Sequence, residues 1–297
     1  MQPCRLPPPL QPGDLLRVVA PSGTLREQAA FQLGLELWRA QGYRVELCPG
    51  YDGRWGYLAG NDGDRRQQLA TAWADPDCRG ILCARGGYGT MRLLEDWQWP
   101  STDPKWLIGF SDITGLLWSL ATQGLSGIHG PLLTTLAADS TGSQQRLFDL
   151  VQGKPLPPLT GKGWGGGSAE GLLLPANLTV ATHLLGTPLQ PDLDNVILAI
   201  EDVGEAPYRL DRMLTQWRLC GALRQVKGIA VGRFSQCHPP AAVPSLSGAE
   251  VLGDRLSDLG IPIVSELPFG HDGDNAALPV GVSVHLDGDR GRLHLIP

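Results

Sequence analysis

Residues 80–90 read Gly-Ile-Leu-Cys-Ala-Arg-Gly-Gly-Tyr-Gly-Thr, and residues 106–113 read Trp-Leu-Ile-Gly-Phe-Ser-Asp-Ile. Each is a short apolar run that breaks into a turn and then into a helix-forming stretch. Continuous apolar runs of this length fit strands buried on both faces of a sheet. Upstream, residues 15–20 form another such run and end at Pro21-Ser22-Gly23, and residues 43–47 read as a further strand. The stretches between them have helical character: residues 25–41, closed by Gly42, residues 64–75, 90–97 and 113–123. Strands alternating with helices predict an α/β fold, a Rossmann-like domain whose parallel sheet is covered on both faces.

Near residue 142 the composition changes. Gly153, Pro155, Pro157, Pro158 and the run Gly163-Trp164-Gly165-Gly166-Gly167 predict little regular structure. The reading is a Rossmann-like domain over residues 1–145, a linker or loop over 146–170, and a smaller β-rich α+β domain over 171–297. The glycine run around Trp164 suits either an ordinary linker with a packed tryptophan or a flap over a ligand. Further on, strands are expected at 195–201, 228–231 and 262–264, and helices at 210–219 and 250–259. Val282, Val284 and Leu286 alternate toward a two-residue turn at Asp287-Gly288, and Leu293 and Leu295 return, which predicts a terminal β-hairpin.

With 42% hydrophobic and 18% charged residues among 297, the chain has the balance of a soluble globular protein. A net charge of −6 offers no basic patch for a phosphate backbone, so no nucleic-acid partner is expected. The proline-broken start lacks the apolar core of a signal peptide, and no stretch is long and apolar enough to span a membrane. Six scattered cysteines without a CxxC pair predict reduced, mostly buried thiols in a cytoplasmic protein. There is no HExxH or clustered Cys/His set, and Asp272 and Asp274 lack the remaining ligands of a calcium loop, so neither metal nor cofactor is expected.

In an open parallel sheet, ligands bind at the carboxyl ends of the strands. Two segments fall there. Arg85-Gly86-Gly87-Tyr88-Gly89 brings backbone close to a ligand and leaves amides free for negative charge. It matches neither GxGxxG nor GxxxxGK[ST], so it reads equally as a phosphate cradle or a tight turn. Gly109-Phe110-Ser111-Asp112 places a serine at a sharp strand-to-helix turn. Ser111 is there either an exposed nucleophile, with the Asp112 amide beside it for an oxyanion, or a helix N-cap.

A serine nucleophile needs a base, most often histidine. Of the six, His285 and His294 lie in the terminal hairpin, His238 in a loop and His183 in a helix. His271 lies in a polar loop after a strand and is the first candidate, with His129, in Gly127-Ile128-His129-Gly130-Pro131, second. For the carboxylate that orients the base, Glu201 ends the apolar strand at Val196-Ile197-Leu198-Ala199-Ile200, either pointing into a cleft or solvated at a strand end.

Taken in order, Val19-Ala20-Pro21-Ser22-Gly23, Arg85 to Gly89, Gly109-Phe110-Ser111-Asp112, His129-Gly130-Pro131, Glu201-Asp202 with Leu210-Asp211-Arg212, and Gly270-His271 with Pro279-Val280-Gly281 resemble the LD-carboxypeptidase family of serine peptidases, which also holds the microcin-immunity peptidases. The resemblance covers nearly the whole chain. It implies an active site between a Rossmann-like and a β-rich domain, a triad of Ser111, Glu201 and His271, and an oxyanion hole at the amides of Gly87 and Asp112. It implies a murein tetrapeptide as substrate, trimmed of its terminal D-alanine in cell-wall recycling, and a homodimer. Arg85, His129, Asn177 and Trp164 are candidates for contact with substrate, and Arg85, Arg209 or Arg212 would suit its free carboxylate. The match departs at Pro175-Ala176-Asn177-Leu178, where the family usually carries two glycines before Asn-Leu.

Two rival readings remain. One keeps the chemistry and takes a peptidyl-nucleotide antibiotic as substrate, with Trp164 stacking on the base. The other is a nucleotide-binding module without catalysis, built on Arg85 to Gly89.

Overall fold

In the computed structural model, which describes residues 1–95, 97–239 and 244–296, the chain divides into two compact units. The first comprises Cys4–Leu156 and Asn275–Val280, and the second Met1–Pro3, Pro157–Asp274 and Gly281–Pro297.

The first unit runs β1 (Leu15–Val19), α1 (Gln28–Ala40), β2 (Arg44–Leu47), α2 (Asp62–Ala74), β3 (Cys78–Cys83), α3 (Thr90–Leu94), β4 (Trp106–Gly109), α4 (Thr114–Thr122), β5 (Ile128–His129), α5 (Leu133–Leu136) and α6 (Thr141–Val151). The second unit supplies β6 (Leu159–Thr160), β7 (Lys162–Gly163), β8 (Ser168–Asn177), α7 (Leu178–Leu184), β9 (Val196–Val203), α8 (Pro207–Leu219), β10 (Gly228–Ser235), α9 (Gly248–Leu256) and β11 (Ile263–Ser265). The chain then contributes β12 (Leu278–Pro279) to the first unit, before β13 (Ser283–Asp287) and β14 (Arg292–Leu295) complete the second.

The first sheet has the order β12-β5-β4-β3-β1-β2 and is parallel except for β12. Its strands β2-β1-β3-β4-β5 are doubly wound, with the order reversing between β1 and β3. That switch point is where such sheets hold ligands, and Ser22-Gly23 and Gly86-Gly87 both leave the sheet there. The core is apolar and aromatic: Trp38 of α1 meets Phe148 of α6 edge-on at 5.1 Å between ring centroids. The β12 segment is tied in by the Ser126 hydroxyl, which donates to the Val280 carbonyl at 2.6 Å, and by Arg146, which donates to the Ala277 carbonyl at 3.1 Å.

The second sheet, β6-β14-β13-β8-β9-β10-β11-β7, has parallel β8 to β11 at its centre and antiparallel strands toward both edges. Strand β9 is buried from Val196 through Asp202. Such a strand reads as the unbroken apolar run seen in the sequence. The expected α/β class, a Rossmann-like parallel sheet followed by a β-rich unit, is therefore the fold.

Several details differ from the sequence reading. The segment taken as a linker holds regular structure: α6 extends to Val151, two short edge strands follow, and β8 begins at Ser168. Gly142 near the start of α6 and Pro175 in β8 disguised both elements. Pro175 lies beyond the β13 pairing, which ends at Ser283↔Leu172, so no ladder bond to β13 is lost there. The terminal hairpin closes through four residues, 288–291, because Asp287 pairs with Arg292. The helix read over 90–97 ends at Leu94, and Asp96 lies outside the described residues. All six cysteines are unpaired thiols, five of them buried and Cys220 exposed. No helix among the described residues is long and apolar enough to cross a membrane.

Candidate active site

In the first unit, the expected residues Ser111, Asp112, Gly87 and Arg85 gather at the carboxyl ends of β3 and β4. Ser111 adopts φ 63°, a left-handed conformation that non-glycine residues rarely hold. The helical turn it begins takes Phe110 as its N-cap, with no side-chain capping bond. Ser111 is therefore not a cap. Its conformation is the strained strand-to-helix turn that presents a hydroxyl above a sheet.

The neighbouring turn is shaped to fit it. A Cβ placed on Gly86 would stand 3.2 Å from Ser111 Cβ and 3.3 Å from Ser111 Oγ, so the chain passes the serine at a distance that suits glycine. Gly87 has φ 113° and is exposed. Among the described residues, none accepts a hydrogen bond from its amide. The Asp112 amide lies in the first helical turn, where N–H groups have no intrahelical acceptor. The Asp112 side chain is buried and works as a brace: its Oδ2 accepts from Ser22 Oγ at 2.7 Å and from the Thr90 amide at 2.9 Å. Thr90 Oγ1 donates in return to the Asp112 carbonyl at 2.6 Å. Burial raises the Asp112 carboxyl above the usual range, against the pull of these donors. Arg65, also buried, donates to the carbonyls of Pro21 and Gly89 and so ties the turns after β1 and β3 together.

Arg85 is held rather than free. Its Nε donates to Glu27 at 3.0 Å and its Nη1 to the Gly86 carbonyl at 3.1 Å. His129 is fully buried on β5, edge-on to Phe110 at 5.7 Å, as a core residue is.

The second unit brings Glu201, His271 and Asn177 together. Glu201 is wholly buried near the end of β9, and its Oε2 meets His271 Nδ1 at 2.7 Å. That contact leaves Nε2 as the nitrogen that could act as base. Burial lowers the His271 pKa, the bond to Glu201 raises it, and the net effect is a raised value. Gly270 permits the approach: a Cβ there would stand 2.9 Å from Glu201 Cβ.

Asn177, expected at the substrate, is placed otherwise. It is 4% exposed, and its Nδ2 donates to Glu201 Oε1 at 3.2 Å and Asp202 Oδ1 at 3.1 Å. Its Oδ1 accepts from the Val180 amide at the start of α7. The residue orients a carboxylate and caps a helix at once. Pro175 and Ala176, at the departure from the family pattern, are buried within β8 beside β9. Asp202 entered the sequence reading only as part of the Glu201-Asp202 segment, with no role of its own. Burial, and secondarily the charge of Glu201, push it up to about 6 against the hydrogen bonds from Thr179. Trp164 is half-buried, with its Nε1 donating to Ser265 Oγ at 2.8 Å. Arg209 and Arg212 lie against the exposed ring of Tyr208 on α8, at 5.9 and 5.3 Å.

The first unit thus holds a serine in a left-handed conformation, and the second a buried glutamate bound to a histidine. Residues 16–130 match the LD-carboxypeptidase N-terminal domain and residues 170–286 the LD-carboxypeptidase C-terminal domain. The chain is similar to a Synechocystis sp. protein bearing a carboxypeptidase name, 60% identical over 98% of this chain and 97% of that one. It is also similar to the murein tetrapeptide carboxypeptidase of Pseudomonas aeruginosa, 32% identical over 93% and 94% of the two chains. Among solved structures, the muramoyltetrapeptide carboxypeptidase from Oxalobacter formigenes matches with a TM-score of 0.84 at 30% identity, over 95% and 97% of the chains. The microcin C7 self immunity protein MccF, solved with aspartyl sulfamoyl adenosine, matches with a TM-score of 0.88 over 99% and 98%, a likeness of fold at 22% identity. The protein is a peptidase. It belongs to the LD-carboxypeptidase family.

Proposed function

We propose that the protein is a serine carboxypeptidase that removes the terminal D-alanine from a cytoplasmic murein tetrapeptide during cell-wall recycling. The observation that carries the chemistry is the 2.7 Å contact between His271 and Glu201, a base already oriented by a buried carboxylate. The names and identities of the murein carboxypeptidase relatives support the substrate.

In the proposed reaction, His271 Nε2 takes the proton of Ser111 as Oγ attacks the carbonyl carbon before the terminal residue. The amides of Gly87 and Asp112 receive the oxyanion. Collapse of the tetrahedral intermediate breaks the C–N bond, and the imidazolium gives its proton to the leaving amine. Water then attacks the Ser111 ester by the same route, releasing the shortened peptide and restoring the hydroxyl. Glu201 keeps the imidazole in the required tautomer and stabilises its cation.

The reading is tested by incubating the protein and its Ser111→Ala variant with the tetrapeptide and following loss of one alanine by mass spectrometry. Loss with the wild type alone supports both reaction and nucleophile. Loss with both removes Ser111 from the mechanism. No loss with either turns the search to peptidyl-nucleotides.

A further inference from the structure

We infer that a bulge in β10, formed by Gly232 and Arg233 opposite Glu201, together with Ser235 and Gln236, holds the loop of His271 in the geometry that lets it meet Glu201. Arg233 and Ser235 are thus positioning residues for the proposed reaction. The inference rests on the reading of Glu201 and His271 as a catalytic pair.

The loop does not hold itself. Gly270 at φ 110° and Gly273 at φ 141° hold conformations open to glycine, but Asp272 between them lies at φ 57°, in the left-handed region. A non-glycine residue persists there only where the surroundings over-determine it. Strand β10 provides the surroundings. The Ser235 hydroxyl donates to the carbonyl of His271 itself at 2.6 Å. Gln236 Nε2 donates to Asp272 Oδ2 at 2.8 Å. Arg233 Nη1 donates to the Asp274 carbonyl, and its backbone amide donates to the Phe269 carbonyl at 2.9 Å. The guanidinium also lies flat under the loop, since a Cβ on Gly273 would stand 3.0 Å from its Cζ.

The register explains why these side chains reach the loop. Strands β9 and β10 pair regularly through Val231↔Ile200 and resume at Phe234↔Asp202. Two residues of β10, Gly232 and Arg233, therefore oppose Glu201 alone. A bulge of this kind bends its strand and re-aims its side chains. Gly232 makes room for Phe269 just before the loop: a Cβ at 232 would stand 2.5 Å from the Phe269 ring. The strand that carries the carboxylate and the strand that grips the histidine loop are thus indexed to each other at one residue, Glu201.

The test is the titration of the His271 imidazole by NMR in the wild type, Ser235→Ala, Ser235→Thr and Arg233→Lys, with kcat and KM against pH on the tetrapeptide alongside. The charged groups facing the imidazole are Glu201 and Asp202 of β9 and Asp272 of its own loop. Arg233 of β10 faces Gly273. Released from Ser235, the imidazole loosens from Glu201. Its midpoint falls toward the ordinary value of about 6.5 in Ser235→Ala. The corresponding kcat falls on the order of tenfold with KM held, as expected for a misplaced base. Ser235→Thr, which keeps the hydroxyl, restores both, and Arg233→Lys, which loses the planar fork, behaves like the alanine variant.

Wild-type midpoints in both Ser235→Ala and Arg233→Lys would overturn the inference. So would a loss of kcat with the titration unmoved, which is the mark of general destabilisation. His271→Ala separates the two levels of the argument. If it keeps full activity, the catalytic pair itself falls, whereas an inactive His271→Ala beside an unaltered Ser235→Ala removes only the positioning role. The NMR titration reads the clamp even if the tetrapeptide is not cleaved.

Discussion

His271 Nδ1 and Glu201 Oε2 lie 2.7 Å apart, with the carboxylate wholly buried and the imidazole part-exposed. The carboxylate side of this bond is fixed from behind by Asn177, and the histidine side rides on a loop gripped by Ser235, Gln236 and Arg233. The pair is held by its surroundings rather than by its own flexibility, and that sets how it should respond to pH and to substitution.

The bond raises the His271 pKa, and a base acts only when neutral. The acid limb of kcat/KM is therefore expected above the ordinary histidine value of about 6.5. In Glu201→Gln the limb should move to lower pH while the plateau drops on the order of 10⁴-fold, the loss seen when an orienting carboxylate is neutralised. The same shift has a consequence for stability. The protonated pair contributes stability fully present below the unfolded pKa and lost as pH rises through the folded one. A pH–rate profile of both proteins measures the limb; an unmoved limb in the variant would remove Glu201 as the orienting group.

Ser111 at φ 63° carries a conformational cost that glycine does not. Ser111→Gly should be inactive yet more stable, by about 1 kcal/mol, or roughly 2–4 °C in the thermal midpoint. Calorimetry of the two proteins checks this, and a lower midpoint in the variant would mean that contacts of the hydroxyl outweigh the backbone strain.

Gly86 is close enough to the serine that one methyl group intervenes. In Gly86→Ala the new Cβ, at 3.2 Å from Ser111 Cβ, forces a shift of a few tenths of an ångström. We expect kcat to fall on the order of tenfold with little change in the unfolding midpoint, because a misplaced nucleophile costs rate before it costs packing. Steady-state kinetics with the tetrapeptide decide it, and an unchanged kcat would show that Ser111 does not need its present position.

Much of the first unit was legible because parallel strands covered on both faces must be apolar throughout. Residues 15–20 and 106–110 announce themselves for that reason, and the glycine and serine turns follow from where such strands end. The second unit was harder. Ser168 to Gly171 are polar or small at the open end of β8, Pro175 argues against a strand, and β6, β7 and β12 are two residues each, defined by partners far away in the chain. Within the candidate site, Ser111 was ambiguous between cap and nucleophile, and its backbone angle and the missing capping bond remove only the cap. Glu201 and His271 carried weak local signals, and their ordered resemblance to a family raised them. The burial of Asn177 and the bulge opposite Glu201 depend on strand register, which leaves no local pattern.

Asp202 provides a final test, because it is a buried carboxyl whose proton the fold retains. Its folded pKa is about 6, raised first by burial and then by Glu201, against about 3.9 in an unfolded chain. Between those values the native protein binds a proton that the unfolded chain has lost, so stability falls as pH rises through the window. The fall attributable to this group is on the order of 3 kcal/mol from the two-unit difference. Asp202→Asn cannot ionise, so its stability should change less over the same window. Urea midpoints of the two proteins across the window measure the difference in slope; equal slopes would show that Asp202 is ionised in the native state throughout. The same charge helps to raise the His271 pKa. Asp202→Asn should therefore lower the acid limb of the pH–rate profile in the direction of Glu201→Gln, but by less, because Asp202 acts on the imidazole through its charge alone and Glu201 also through a direct bond.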